Sequence, residues 1–128
     1  MAKRILIAED EPNIVTSLEF LLGRAGYELR IARDGDEALA GMLEFGPDLV
    51  LLDVMMPRKN GFEVCQKIRE NPDLRHIKVV MLTAKGRDTE VSKGLGLGAD
   101  AYVSKPFSTK ELMTLVQDLL ARPDERQG

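Results

Sequence analysis

The chain has 128 residues, 44% of them apolar and 30% charged, with a formal net charge of −3. That is the size and make-up of one globular domain with a core of its own. Acids and bases are interspersed, so no basic face is offered to a phosphate backbone, and direct nucleic-acid binding by this domain is not expected.

Cys65 is the single cysteine; it excludes an internal disulfide and suits a reducing, cytoplasmic setting. The basic start at Lys3 and Arg4 leads into an apolar run that stops at Glu9, too early for a signal peptide. No run approaches the roughly 20 apolar residues that a membrane span needs.

Two kinds of apolar segment alternate five times. Residues 5–8 are a short β-rich run, followed by Ile14, Leu18, Leu21 and Leu22 at helical spacing. Residues 29–32 follow Glu28 in alternation, the pattern of an edge strand, and lead to a shorter stripe of Ala38, Leu39, Met42 and Leu43. Residues 49–52 are continuously apolar, as a strand covered on both faces should be, and precede Phe62, Cys65 and Ile68 on one helical face. Residues 79–82 repeat the buried-strand pattern. The helical region after them is punctuated by Gly86, Gly94, Gly96 and Gly98. Each interior helix glycine costs about 1 kcal/mol relative to alanine, so this is expected to be the least stable helix. Residues 101–103 form a short run carrying Tyr102, and Leu112, Leu115, Val116, Leu119 and Leu120 close the pattern.

The class is therefore α/β, a (βα)5 doubly wound parallel sheet. With the second and fifth runs at the edges, the order is 2-1-3-4-5, as in flavodoxin-like folds. Such sheets bind ligands beyond the carboxyl ends of the strands, at the switch between strands one and three. The domain is expected to span residues 1–121. Residues 122–128 read as a polar tail or the start of a linker, with Pro123 stopping the last helix.

Strand one runs into Glu9, Asp10 and Glu11; strand three ends at Asp53, strand four at Thr83, and strand five at Ser104 and Lys105. Carboxylates gathered so closely raise one another's pKa unless a cation sits among them. Hard oxygen donors with open positions suit Mg²⁺. A carboxylate can also be a nucleophile toward phosphorus, with a metal and a lysine offsetting phosphoryl charge. Each residue has a plainer reading: Asp10 or Glu11 as a helix cap before Pro12, Thr83 as a strand-end threonine, Lys105 as a solvated surface lysine. Their joint placement at one sheet edge favours a site.

These segments carry a resemblance. Ile5-Leu6-Ile7-Ala8-Glu9-Asp10-Glu11, the stretch from Asp48 through Asp53 to Pro57, Asn60-Gly61-Phe62-Glu63, Met81-Leu82-Thr83-Ala84 and the stretch from Ala99 to Phe107 are similar to those of the receiver domain of two-component response regulators. The resemblance implies that Asp53 accepts a phosphoryl group from a sensor histidine kinase or phosphotransfer protein. It makes Asp10, Asp53, the Met55 carbonyl and Glu9 the Mg²⁺ site, Glu9 directly or through water. Thr83 and Lys105 would bind the phosphoryl group, and the bond between Lys105 and Pro106 would be cis. Thr83 and Tyr102 would form a switch toward an output face made by the fourth helix, fifth strand and fifth helix. That face would engage a downstream protein or domain, or a second copy of the chain on phosphorylation. Met55, which is not a carboxamide, implies slow self-dephosphorylation.

Among rival classes, an aspartyl phosphatase needs a second acid two residues after the nucleophile, where Met55 stands. A flavin module needs a hydroxyl- and glycine-rich loop where Glu9-Asp10-Glu11 stands. His76 reads as a loop residue and Cys65 as a packing residue.

Overall fold

The structure is a computed structural model describing residues 2–56, 58–84, 96 and 98–122. Five parallel strands, β1 (Arg4–Ala8), β2 (Glu28–Ala32), β3 (Leu49–Asp53), β4 (Lys78–Ala84) and β5 (Ala101–Lys105), form one sheet in the order β2-β1-β3-β4-β5. The expected order holds, and for the expected reason: β1, β3 and β4 are interior strands, and β3 is buried at every position.

Because side chains alternate across a strand, each interior strand feeds two cores. Leu6, Val50, Leu52, Val79 and Met81 face one side, with Ala38 and Met42 of α2 (Gly35–Phe45) and Val64, Cys65 and Ile68 of α3 (Gly61–Glu70). Ile5, Ile7, Leu49, Leu51, Val80 and Leu82 face the other, with Leu18 and Leu22 of α1 (Pro12–Arg24) and Leu112, Val116 and Leu119 of α4 (Thr109–Ala121). Each fully buried Leu, Ile or Val contributes about 1.5–3 kcal/mol relative to exposure, so these two layers dominate the stability.

Helix boundaries follow local chemistry. Asp34 caps α2, its side chain accepting from Glu37 N at 2.8 Å, and the helix ends in Gly46 at φ 64°. Asn60 and Glu63 form a reciprocal capping box on α3, and Ser108 caps α4. At α1, Pro12 opens the helix but Glu11 at the N-cap makes no side-chain bond, so the capping reading of that acid does not hold.

The stripe expected on α2 is rotated. Gly41 is buried, with Leu6 Cδ1 3.0 Å from where its Cβ would stand, and that close approach turns Leu43 outward to 67% exposure. Likewise Val15 is buried in α1, whereas Ile14 and Leu21 are only half-buried. The glycine-punctuated region at 86–95 lies outside the described residues. Where the chain resumes, the Arg69 guanidinium donates to Gly98 O at 2.8 Å and to Asp100 Oδ2 at 2.9 Å, tying α3 to the approach to β5. No helix among the described residues is long and apolar enough to cross a membrane.

Candidate functional site

The carboxyl edge of the sheet collects the residues singled out above. Asp53 is the last residue of β3 and is buried, Thr83 lies in β4 at 1% exposure, and Lys105 ends β5. Glu9 and Asp10 follow β1, and the Glu9 amide donates to Ala32 O at 2.9 Å, extending the β1–β2 ladder by one step. The Lys105–Pro106 bond is cis.

Lys105 Nζ stands 3.2 Å from Glu9 Oε1 and 3.2 Å from Asp53 Oδ1, one ammonium between two carboxylates. The Met55 amide also donates to Asp53 Oδ1 at 3.2 Å. Glu9 is fully buried, and its Oε2 accepts from the Asp10 and Glu11 amides at 3.0 and 3.1 Å. Glu9 thus organises the turn that presents Asp10, and both its oxygens have protein donors. Carboxylate oxygens of Glu9, Asp10 and Asp53 lie within 4.8 Å of one another, with Asp10 exposed and Asp53 buried. That set of hard oxygens, open on one side, fits a small divalent cation.

The electrostatics follow from burial. Loss of water around Glu9, reinforced by Asp53, pushes its pKa up to about 7. Burial alone would lower that of Lys105, but Asp53 and Glu9 outweigh it and hold it above the ordinary lysine value. The sign for stability follows from linkage. The folded state keeps a proton on Glu9 that the unfolded chain releases near 4.5, so folding loses free energy as pH rises from about 4.5 to about 7. Thermal melts of the metal-free protein should therefore fall more steeply across that window than those of Glu9→Gln. Parallel curves for the two proteins would contradict the assignment.

Tyr102 is half-buried against the α2–α3 core, one strand over from Thr83. Met55 is 69% exposed beside Asp53. His76 lies in the turn after α3 and Cys65 is buried, both as expected. Sequence reasoning missed the residues that shape the loop after Asp53. Gly35 and Gly61 touch that loop so closely that a Cβ on either would overlap the backbone of Lys59 or Asp53. The only sequence signal was a glycine just inside each of two helices, at N1.

The family description "response regulator receiver domain" matches residues 5–117. The chain belongs to the response regulator receiver domain family. A crystal structure of a protein from Chloroflexus aurantiacus assigned as a response regulator is 35% identical, with a TM-score of 0.92 over 95% of this chain and 100% of that one. The signal receiver domain of a histidine kinase from Syntrophus aciditrophicus is 35% identical, with a TM-score of 0.87 over 97% and 96% of the two chains. The receiver domain of a sensor histidine kinase from Pseudomonas aeruginosa is 27% identical, with a TM-score of 0.87 over 95% and 100%. That structure is described with a magnesium ion coordinated in its active-site cleft. As a receiver domain of two-component systems, the chain is a signalling module of phosphoacceptor type.

Proposed function

We propose that Asp53 takes a phosphoryl group from a phosphohistidine on a sensor histidine kinase or phosphotransfer protein, with Mg²⁺, and that the acyl phosphate switches an output surface. The observation that carries this reading is the grouping of Asp53, Glu9, Asp10 and Lys105 at the β1–β3 switch point. In the transfer, a bond forms between Asp53 oxygen and phosphorus as the phosphorus–nitrogen bond breaks. The bonding pair goes to the imidazole nitrogen, and a proton carried on the ring's other nitrogen before transfer lets the donor leave as a neutral imidazole.

Mg²⁺ held by Asp10, Asp53 and the Met55 carbonyl, with Glu9 reaching it directly or through water, would offset charge on the phosphoryl oxygens. Lys105 holds Asp53 before transfer and follows the phosphoryl oxygens after it; the Thr83 hydroxyl binds them. Movement of Thr83 makes room for Tyr102, whose side chain reports the change to the face formed by β5, α4 and the segment at 88–98. That face engages a downstream protein or domain, or a second copy of the chain. Residues 1–121 form the receiver domain in this reading, residues 122–128 are a tail or linker, and the setting is cytoplasmic.

Intact-mass analysis after incubation with acetyl phosphate tests the reading. One phosphoryl adduct that requires Mg²⁺ is expected; no adduct, or one indifferent to Mg²⁺, would overturn it. The exposed Met55 cannot aim a water at phosphorus, so the adduct should decay slowly. Met55→Asn, which supplies a carboxamide there, should shorten the half-life by about tenfold, less than the roughly 100-fold or more of a full general acid or base because the amide only orients the water. An unchanged half-life would remove Met55 from the account.

A further inference from the structure

The loop between Asp53 and α3 rests on the first turn of α2. The Lys59 carbonyl and Cβ lie in the space that a Cβ on Gly35 would take, so the α2 backbone and the loop are in direct contact. Two ion pairs flank that contact. Arg58 Nε is 3.3 Å from Asp34 Oδ2, and Lys59 Nζ is 3.1 Å from Asp36 Oδ1. Asp34 uses its other oxygen to cap α2, so one side chain serves both helix and loop. Arg58 itself stands at φ 69°, a left-handed conformation that a bulky residue adopts only where its surroundings impose it. At the loop's far end, the Gly61 amide donates to Val54 O at 2.9 Å, and a Cβ on Gly61 would overlap the Asp53 carbonyl oxygen.

We propose that the first turn of α2 is a positioning element for phosphoryl transfer: Gly35 seats the Lys59 backbone, Asp34 and Asp36 hold Arg58 and Lys59, and the loop bearing Met55 is thereby kept in the shape that metal binding and transfer need. This rests on the reading of Asp53 as phosphoacceptor and adds residues that touch neither metal nor phosphoryl group. Steric contact carries most of the effect. The ion pairs are largely exposed, with Arg58 at 68% and Asp36 at 53%, and such pairs contribute little on their own.

The decisive variant is Gly35→Ala, examined with acetyl phosphate as donor at constant ionic strength. The Mg²⁺ concentration giving half the maximal rate should rise about tenfold, since a shift of about 1 Å in a positioned group costs up to about 100-fold. Amide exchange at Met55, Lys59 and Asn60 should quicken, while the final extent of phosphorylation stays at the wild-type level. Partial unfolding would instead lower the extent and leave the Mg²⁺ dependence alone.

If Gly35→Ala does not fold, Asp34→Ser with Lys59→Ser decides. Serine still caps α2, and the half-saturating Mg²⁺ should rise about twofold at low salt and return to the wild-type value near 0.5 M salt. A folded Gly35→Ala protein with wild-type Mg²⁺ dependence and exchange would overturn the proposal. So would an unaltered double variant where Gly35→Ala does not fold. A wild-type protein that forms no adduct would instead strike at the phosphoacceptor reading, and the exchange rates of these three amides would still decide whether Gly35 holds the loop.

Discussion

Asp53→Asn protein is expected to acquire no phosphoryl group from acetyl phosphate at any Mg²⁺ concentration, where the wild type acquires one. The amide keeps the shape of the side chain, so loss of the adduct would report on chemistry rather than on folding. An amide is not a nucleophile toward phosphorus under these conditions, and it removes one of the three acids grouped around the candidate metal position. The same substitution relieves Glu9, which is buried beside Asp53 and pushed up in part by it. Metal-free Asp53→Asn should therefore melt above the wild type at pH 8, where Glu9 has given up its proton, and the difference should shrink when Mg²⁺ is added. An adduct of wild-type yield on the variant would move the acceptor elsewhere and dismantle the site as drawn here.

Lys105→Met carries the second large effect. Methionine keeps much of the length of the lysine stem but removes the one cation set between Glu9 Oε1 and Asp53 Oδ1. Removal of a preorganised electrostatic donor typically costs on the order of 100- to 1000-fold in rate, and the initial rate of phosphorylation should fall by about that much. Because Lys105 lowers the pKa of Glu9, its loss should move the Glu9 titration further up, with the metal-free variant least stable at high pH. Mg²⁺ binding, which draws on Asp10 and Asp53, should survive. A rate within about threefold of the wild type, read from the same mass time course, would reduce Lys105 to a structural ion pair.

Much of this was legible in the residues. A parallel sheet buried on both faces demands near-continuous apolar runs, so 49–52 and 79–82 announced interior strands, and Glu28 before 29–32 announced an edge. Once the order is known, the residue after each run falls at the carboxyl edge, which is why Glu9, Asp10, Asp53, Thr83 and Lys105 could be grouped without coordinates. Helix detail was less legible. On α2 the periodicity of Leu39 and Leu43 suggested a wider buried face than the helix has, because a glycine contributes nothing to an apolar pattern yet decides which side packs closest.

Local rules thus determined the class of the fold, the strand order, the caps at Asp34, Asn60 and Ser108, and the identity of the acids and the lysine at the edge. Those properties depend on alternation, periodicity and short-range hydrogen bonds, all written within a few neighbouring positions. Tertiary structure alone decided how the site is held: that Glu9 is fully buried and gives one oxygen to two loop amides and the other to Lys105, and that Lys59 lies on Gly35. The Glu9–Lys105 contact joins residues 96 positions apart and the Gly35–Lys59 contact residues 24 apart. No local pattern encodes them, because burial and close approach are set by how whole layers pack.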